Sequence, residues 1–148
     1  MALEADIRHL SRNPTFAALE ADALRELALG AETIMLRKGE ILFRREDVSD
    51  CGYLLVFGSI LLETDPGQGE QIVRPPTLIG DTALITRTRR PVTATAREQC
   101  SLLKISRLHF LSVMNDFPRS AERLKRIISD RLVQFIRELD GIARDVPD

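Results

Sequence analysis

"GDTALITRTRRPVT", Gly80 to Thr93, is the segment from which the rest of the chain is best read. Glycine at 80 permits a backbone conformation that other residues resist, so main-chain amides can turn toward a ligand. Ala83 is small enough to let N–H groups approach an anion closely. A short helix starting near 81–83 would add the positive end of its dipole. Arg90 can offer a planar fork to phosphate oxygens. Asp81 repels a phosphate but can accept a hydrogen bond from a sugar hydroxyl. A sugar acceptor beside a phosphate clamp describes a nucleotide. The plainer alternatives are a turn glycine at 80 and a structural Arg90 paired with Asp81 or Glu40. Arg87 and Arg89 read as solvated loop charges.

The surroundings limit what such a site can serve. With 148 residues, 44% apolar and 29% charged, the chain has the makeup of one globular domain. A net charge of −1 supplies no field for nucleic acid, and no basic module is legible, so no direct DNA binding is expected. No apolar run is long enough for a membrane span, and "MALEADIRHL" lacks the apolar core of a secretion signal. A cytoplasmic location is expected. Cys51 and Cys100 read as small buried hydrophobes. His9 and His109 are too sparse for a metal site or a metal-dependent cupin-like enzyme, and both read as surface or capping residues. No nucleophile–base pair or acid–base carboxylate pair is legible, so neither an enzyme nor a cofactor is expected.

Outward from the segment the chain divides into three zones. Residues 1–31 read helical, broken by "RNPTF", since Pro14 disfavours helix in the residue before it. Residues 32–105 carry strand-sized apolar runs separated by turn residues, with Gly39, Gly58, Gly67 and Gly69 at expected reversals or bulges. Tyr53 and Phe57 in "YLLVF" read as core. Residues 106–144 return to helical periodicity, with Ser106 as an N-cap and Pro118 in the first turn of a long terminal helix. Ile128, Leu132, Phe135, Leu139, Ile142 and Val146 repeat at four- and three-residue steps, a seam suited to pairing with a second copy. Leu124, Ile127, Val133 and Ile136 would face the β-domain.

These residues resemble the phosphate-binding cassette of cyclic nucleotide-binding domains, with Gly80, Ala83, Leu84, Arg90 and Thr93 at matching spacing. The likeness covers nearly the whole chain, through "PTFAALEADALRELA", "GEILFRREDVSDCGYLLVFGSI" and "SRLHFLSVMNDFP". It implies a mainly β fold with flanking helices: one domain (1–148) built on an eight-stranded β-roll, with N-terminal helices and a long C-terminal helix. It further implies a non-enzymatic regulatory module. The ligand would be a cyclic mononucleotide, cAMP ahead of cGMP, held by Gly80, Asp81, Thr82, Ala83, Arg90, Pro91, Val92 and Thr93. Arg90 would grip the cyclic phosphate, Asp81 the ribose hydroxyl, and Gly80 and Ala83 would lend amides. Thr93 would lie near the phosphate or base edge, and Arg126, Ser129, Asp130 or Val133 could approach the base. Partners would be the nucleotide, a second copy of the chain and a further protein.

Three departures stand out. Asp81 is one methylene shorter than the family's glutamate. Glu46 stands at a loop position where glycine is common. Pro91 follows Arg90 where a small residue donates its N–H, and proline has none. A missing charge-assisted donor costs about 1.5–3 kcal/mol, roughly one to two decades of affinity. The alternative implied is a degenerate fold with weak or no nucleotide binding, acting through protein contacts.

Overall fold

The structure is a computed structural model that describes residues 2–130. Helix α1 (Ala2–Arg12), a 3₁₀ turn (Phe16–Ala18) and α2 (Ala21–Leu29) form the N-terminal layer. The break between them is enforced by more than Pro14. Asn13 is buried; its Oδ1 accepts the Thr15 amide at 2.9 Å, and its Nδ2 donates to the Pro76 carbonyl at 2.7 Å. The side chain thus substitutes for helix hydrogen bonds and ties the kink to a distant turn.

Ten strand segments follow among the described residues, rather than eight: β1 (Glu32–Leu36), β2 (Ile41–Phe43), β3 (Val48–Ser49), β4 (Cys51–Phe57), β5 (Ile60–Glu63), β6 (Gln71–Val73), β7 (Leu78–Ile79), β8 (Thr88–Arg89), β9 (Thr93–Ala96) and β10 (Cys100–Ser106). They form two four-stranded antiparallel sheets, β1-β10-β4-β7 and β2-β9-β5-β6, with β3 and β8 as a separate two-stranded ladder. The extra segments arise because Asp50 interrupts the run from β3 into β4, and because the ladder β3-β8 is two residues long. The fold is a mainly β roll of the double-sheet kind with helices at both ends. Helix α3 (Arg107–Asp116) begins at Ser106, whose Oγ accepts the His109 amide as the N-cap. A last helix occupies 118–130. No helix among the described residues is long and apolar enough to cross a membrane.

Strand alternation splits the interior in two. Leu54, Leu103 and Ile105 point toward the helices and pack with Leu10, Phe16, Leu27, Phe110 and Leu124. Leu55, Leu102, Tyr53 and Cys100 point into the roll and pack with Phe43, Ile60 and Ile79. Cys51 and Cys100 are buried free thiols, and burial pushes the Cys100 thiol pKa up.

Two expectations need correction and one is narrowed. Phe57 is not core: at the far end of β4 it is 60% exposed. Ile128, assigned by its spacing to a self-pairing seam, packs partly on the chain's own helical core beside Leu124. Of the two roles expected for His109, the capping one holds: its Nε2 lies 3.0 Å from the Glu26 carbonyl and 3.2 Å from that of Leu27, in the last turn of α2. The rest of the seam, Leu132 through Val146, together with Val133 and Ile136, lies outside the described residues.

Candidate functional site

Gly80 has φ +78° and ψ +39°, the left-handed conformation glycine accepts without penalty. It turns the chain from β7 into a 3₁₀ turn (Asp81–Leu84). A Cβ at this position would overlap Nη1 of Arg90. The absent side chain is therefore the space the guanidinium occupies.

Arg90 is only 4% exposed. Its Nη2 donates to the Cys51 carbonyl at 2.7 Å, with Cys51 Sγ at 3.4 Å. Its Cζ sits 4.3 Å from the centre of the Phe43 ring and 5.6 Å from that of Tyr53. Stacking on two aromatic faces lowers the cost of holding the charge away from water. Burial, and next the Cys51 side chain, push the Tyr53 phenol pKa above its usual range, so Tyr53 stays neutral beside it. One atom is left over: Nη1 is buried and has no hydrogen-bond partner. A buried unmet charged donor is costly and calls for an acceptor.

Arg90 also borders an open space. A cavity of about 260 Å³ is lined by Gly80, Asp81, Thr82, Ala83, Arg90, Pro91 and Val92, with Phe43, Ser49, Leu62, Thr77, Leu78, Ile79, Thr88 and Arg89 completing the wall. The volume is near the lower end, roughly 300 Å³, of pockets that hold small molecules. Seven of the eight residues singled out in the sequence thus meet around one hollow. Thr93 does not join them. It lines a neighbouring groove with Arg44 and Glu63, and its Oγ1 accepts the Arg45 amide at 2.9 Å. Arg126, Ser129 and Asp130 are exposed on the last helix and do not line the cavity.

One of the expected donors, the Ala83 amide, and the neighbouring Thr82 amide are already engaged. The Ala83 amide donates to the Gly80 carbonyl at 3.1 Å, and the Thr82 amide to Asp81 Oδ1 at 2.9 Å. Asp81 Oδ1 also lies 3.4 Å from Thr82 Oγ1. A ligand that uses these groups has to re-aim them.

The rim is fastened from the other side. Glu46 has φ +75°, a left-handed value unusual for a residue with a side chain. Its amide donates to the Arg90 carbonyl and the Arg90 amide to the Asp47 carbonyl, each at 2.8 Å. Arg89 is not simply solvated, because its Nη1 donates to the Glu46 carbonyl at 3.0 Å. Sequence reasoning missed Phe43, Tyr53 and the Cys51 carbonyl as the cradle of Arg90. The available signal was alternation, which places Cys51 and Tyr53 on the same inner face of β4. Among the described residues no group of three or more His, Cys, Asp or Glu could hold a metal ion.

Comparison with known proteins points the same way. The family model "Cyclic nucleotide-binding domain" matches residues 33–117. A cyclic nucleotide-binding-like protein from Brucella abortus bv. 1 str. 9-941 is 37% identical, covering 75% of this chain and 98% of its own, with a TM-score of 0.67. The N-terminal domain of a transcriptional regulator from Streptomyces coelicolor A3(2) is 30% identical, over 88% and 94% of the two chains, with a TM-score of 0.76. Lysophospholipase nte1 of Neurospora crassa is 27% identical over 117 residues, which is 76% of this chain and 8% of the other. The chain spans about a tenth of the length of the phospholipases it matches.

Proposed function

The chain belongs to the cyclic nucleotide-binding domain family, and on that premise we propose that its cavity binds a cyclic mononucleotide, cAMP ahead of cGMP, as a regulatory ligand. The single observation that carries this is the buried, partnerless Nη1 of Arg90 beside the cavity. A cyclic phosphodiester brings one negative charge and acceptor oxygens, which is what that atom lacks. Gly80 leaves the room in which that nitrogen is seated, and Asp81 stands on the cavity wall for the ribose hydroxyl. Phe43, Leu62, Leu78, Ile79 and Val92 supply a carbon wall. Adenine presents fewer polar edge groups than guanine, so it is desolvated there at lower cost. In this reading the chain is one non-catalytic domain (1–148), cytoplasmic, paired with a second copy through its terminal helix. It makes no direct contact with DNA and signals occupancy through its C-terminal helices.

A second reading, a protein-interaction module with weak or no nucleotide binding, is favoured by Pro91 on the cavity wall and by the prior engagement of Asp81 with Thr82. Calorimetric titration with cAMP and cGMP separates the two. Saturable heat with cAMP, lost in Arg90→Met, supports the sensor. An absence of heat at millimolar nucleotide in wild type supports the second reading and ends the first.

A further inference from the structure

Arg107 begins α3, immediately beyond β10. Its Nη1 lies 3.2 Å from the Ala83 carbonyl, 3.1 Å from the Thr86 carbonyl and 3.2 Å from the Ser49 carbonyl. Its own amide donates to the Asp50 carbonyl at 2.7 Å. One cationic nitrogen therefore gathers the carbonyl end of the cassette turn, the loop after it and strand β3 at the foot of α3. Charge-assisted bonds of this kind are about twice as strong as neutral ones.

The turn itself stands between the two interiors. Ala83 lines the cavity, whereas the next residue, Leu84, is buried among the helices with Phe110 and Leu124. The Ala83 amide is engaged by Gly80 and must be re-aimed if an anion takes it. A rotation of this turn swings the Ala83 carbonyl, the group Arg107 holds. Amide and carbonyl of one residue thus address the ligand and α3 respectively.

We infer that Arg107 is a positioning residue that links the cassette turn to α3, so that filling the cavity shifts α3 through the carbonyls of Ala83 and Thr86. The link to nucleotide rests on the function proposed above; the clamp on the turn does not. Amide hydrogen exchange followed by NMR tests both, on the full chain with and without cAMP. Without ligand, Arg107→Gln should speed exchange at Ala83, Ile85 and Thr86 by about tenfold while the amides of β4 and β10 stay protected. With saturating cAMP, the wild type should show altered exchange through α3 and the variant should not. Arg107→Lys, which still brings a cationic donor to the carbonyls, should restore both behaviours. In the wild type the Arg107 guanidinium protons should appear as distinct, slowly exchanging signals, a readout that does not depend on any variant folding. Unchanged exchange at 83, 85 and 86 in Arg107→Gln, or averaged guanidinium signals in the wild type, would overturn the clamp. A clamp confirmed without ligand in a chain that ignores cAMP would refute only the nucleotide reading. A variant whose α3 still responds to cAMP like the wild type would refute the link while leaving that reading intact.

Discussion

Adding one methyl group at Gly80 separates two costs that the site combines. Alanine must adopt φ +78° there, and its Cβ must displace Nη1 of Arg90. The backbone term is about 1–2 kcal/mol. Displacing the guanidinium breaks its buried bond to the Cys51 carbonyl, which adds about 1.5–3 kcal/mol for a charged donor. Gly39 provides the control. Its φ is +89° and nothing lies within 4 Å of where a Cβ would stand, so Gly39→Ala incurs the backbone term alone. Scanning calorimetry should place Gly80→Ala below Gly39→Ala by roughly 3–12 °C, at about 2–4 °C per kcal/mol for a chain of this size. Gly39→Ala should bind cAMP as the wild type does, and Gly80→Ala should lose it. Melting points within about 2 °C of each other, or unimpaired binding by Gly80→Ala, would show that Gly80 is an ordinary turn residue and that Arg90 is not seated as described.

Three further outcomes follow from the same geometry. Pro91→Ala returns an N–H to the cavity wall and should tighten cAMP binding by about one to two decades in calorimetry; unchanged affinity would place the phosphate elsewhere. A Cβ at Gly30 would overlap the His109 ring, so Gly30→Ala should cost about 1–3 kcal/mol in urea unfolding. In a His109→Ala background that cost should fall below about 0.5 kcal/mol, and additivity would contradict the docking of α2 on α3. Burial raises the Tyr53 pKa above its ordinary value of 10.0. A group whose pKa is raised by folding contributes stability below its unfolded pKa and loses it as pH climbs. Urea midpoints should therefore decline above about pH 10, less steeply in Tyr53→Phe; identical slopes would show that Tyr53 is not buried as described.

Local chemistry made much of this protein legible in advance. Gly39, Gly58, Gly67, Gly69 and Gly80 all have positive φ, as turn glycines should, and Glu46 holds a left-handed conformation at a position where the family commonly has glycine. The break at "RNPTF" and the cap at Ser106 likewise follow from residues close in sequence. What escaped notice depends on distant backbone. The carbonyls that seat Arg90 and Arg107 belong to Cys51, Ser49, Ala83 and Thr86, and a carbonyl leaves no mark in composition or spacing. The same holds for His109, whose partners are two main-chain oxygens of α2 more than eighty residues away. Thr93 sits at the expected spacing, yet its hydroxyl is drawn into the neighbouring groove by the Arg45 amide, a contact set by the register of β2 against β9.

Leu54 and Leu55 are sequence neighbours, as are Leu102 and Leu103, and each pair is divided between the two interiors. The sheet β1-β10-β4-β7 is thus a party wall, finished separately on each side. Changes at Leu54, Leu103 or Ile105 can refit the helices without altering the cavity wall, and changes at Ile79, which faces the roll and lines the cavity, can recut the hollow without disturbing the helices. Such a wall lets the cavity and the helical layer be altered one at a time, provided the few groups that pass through or around it keep their places.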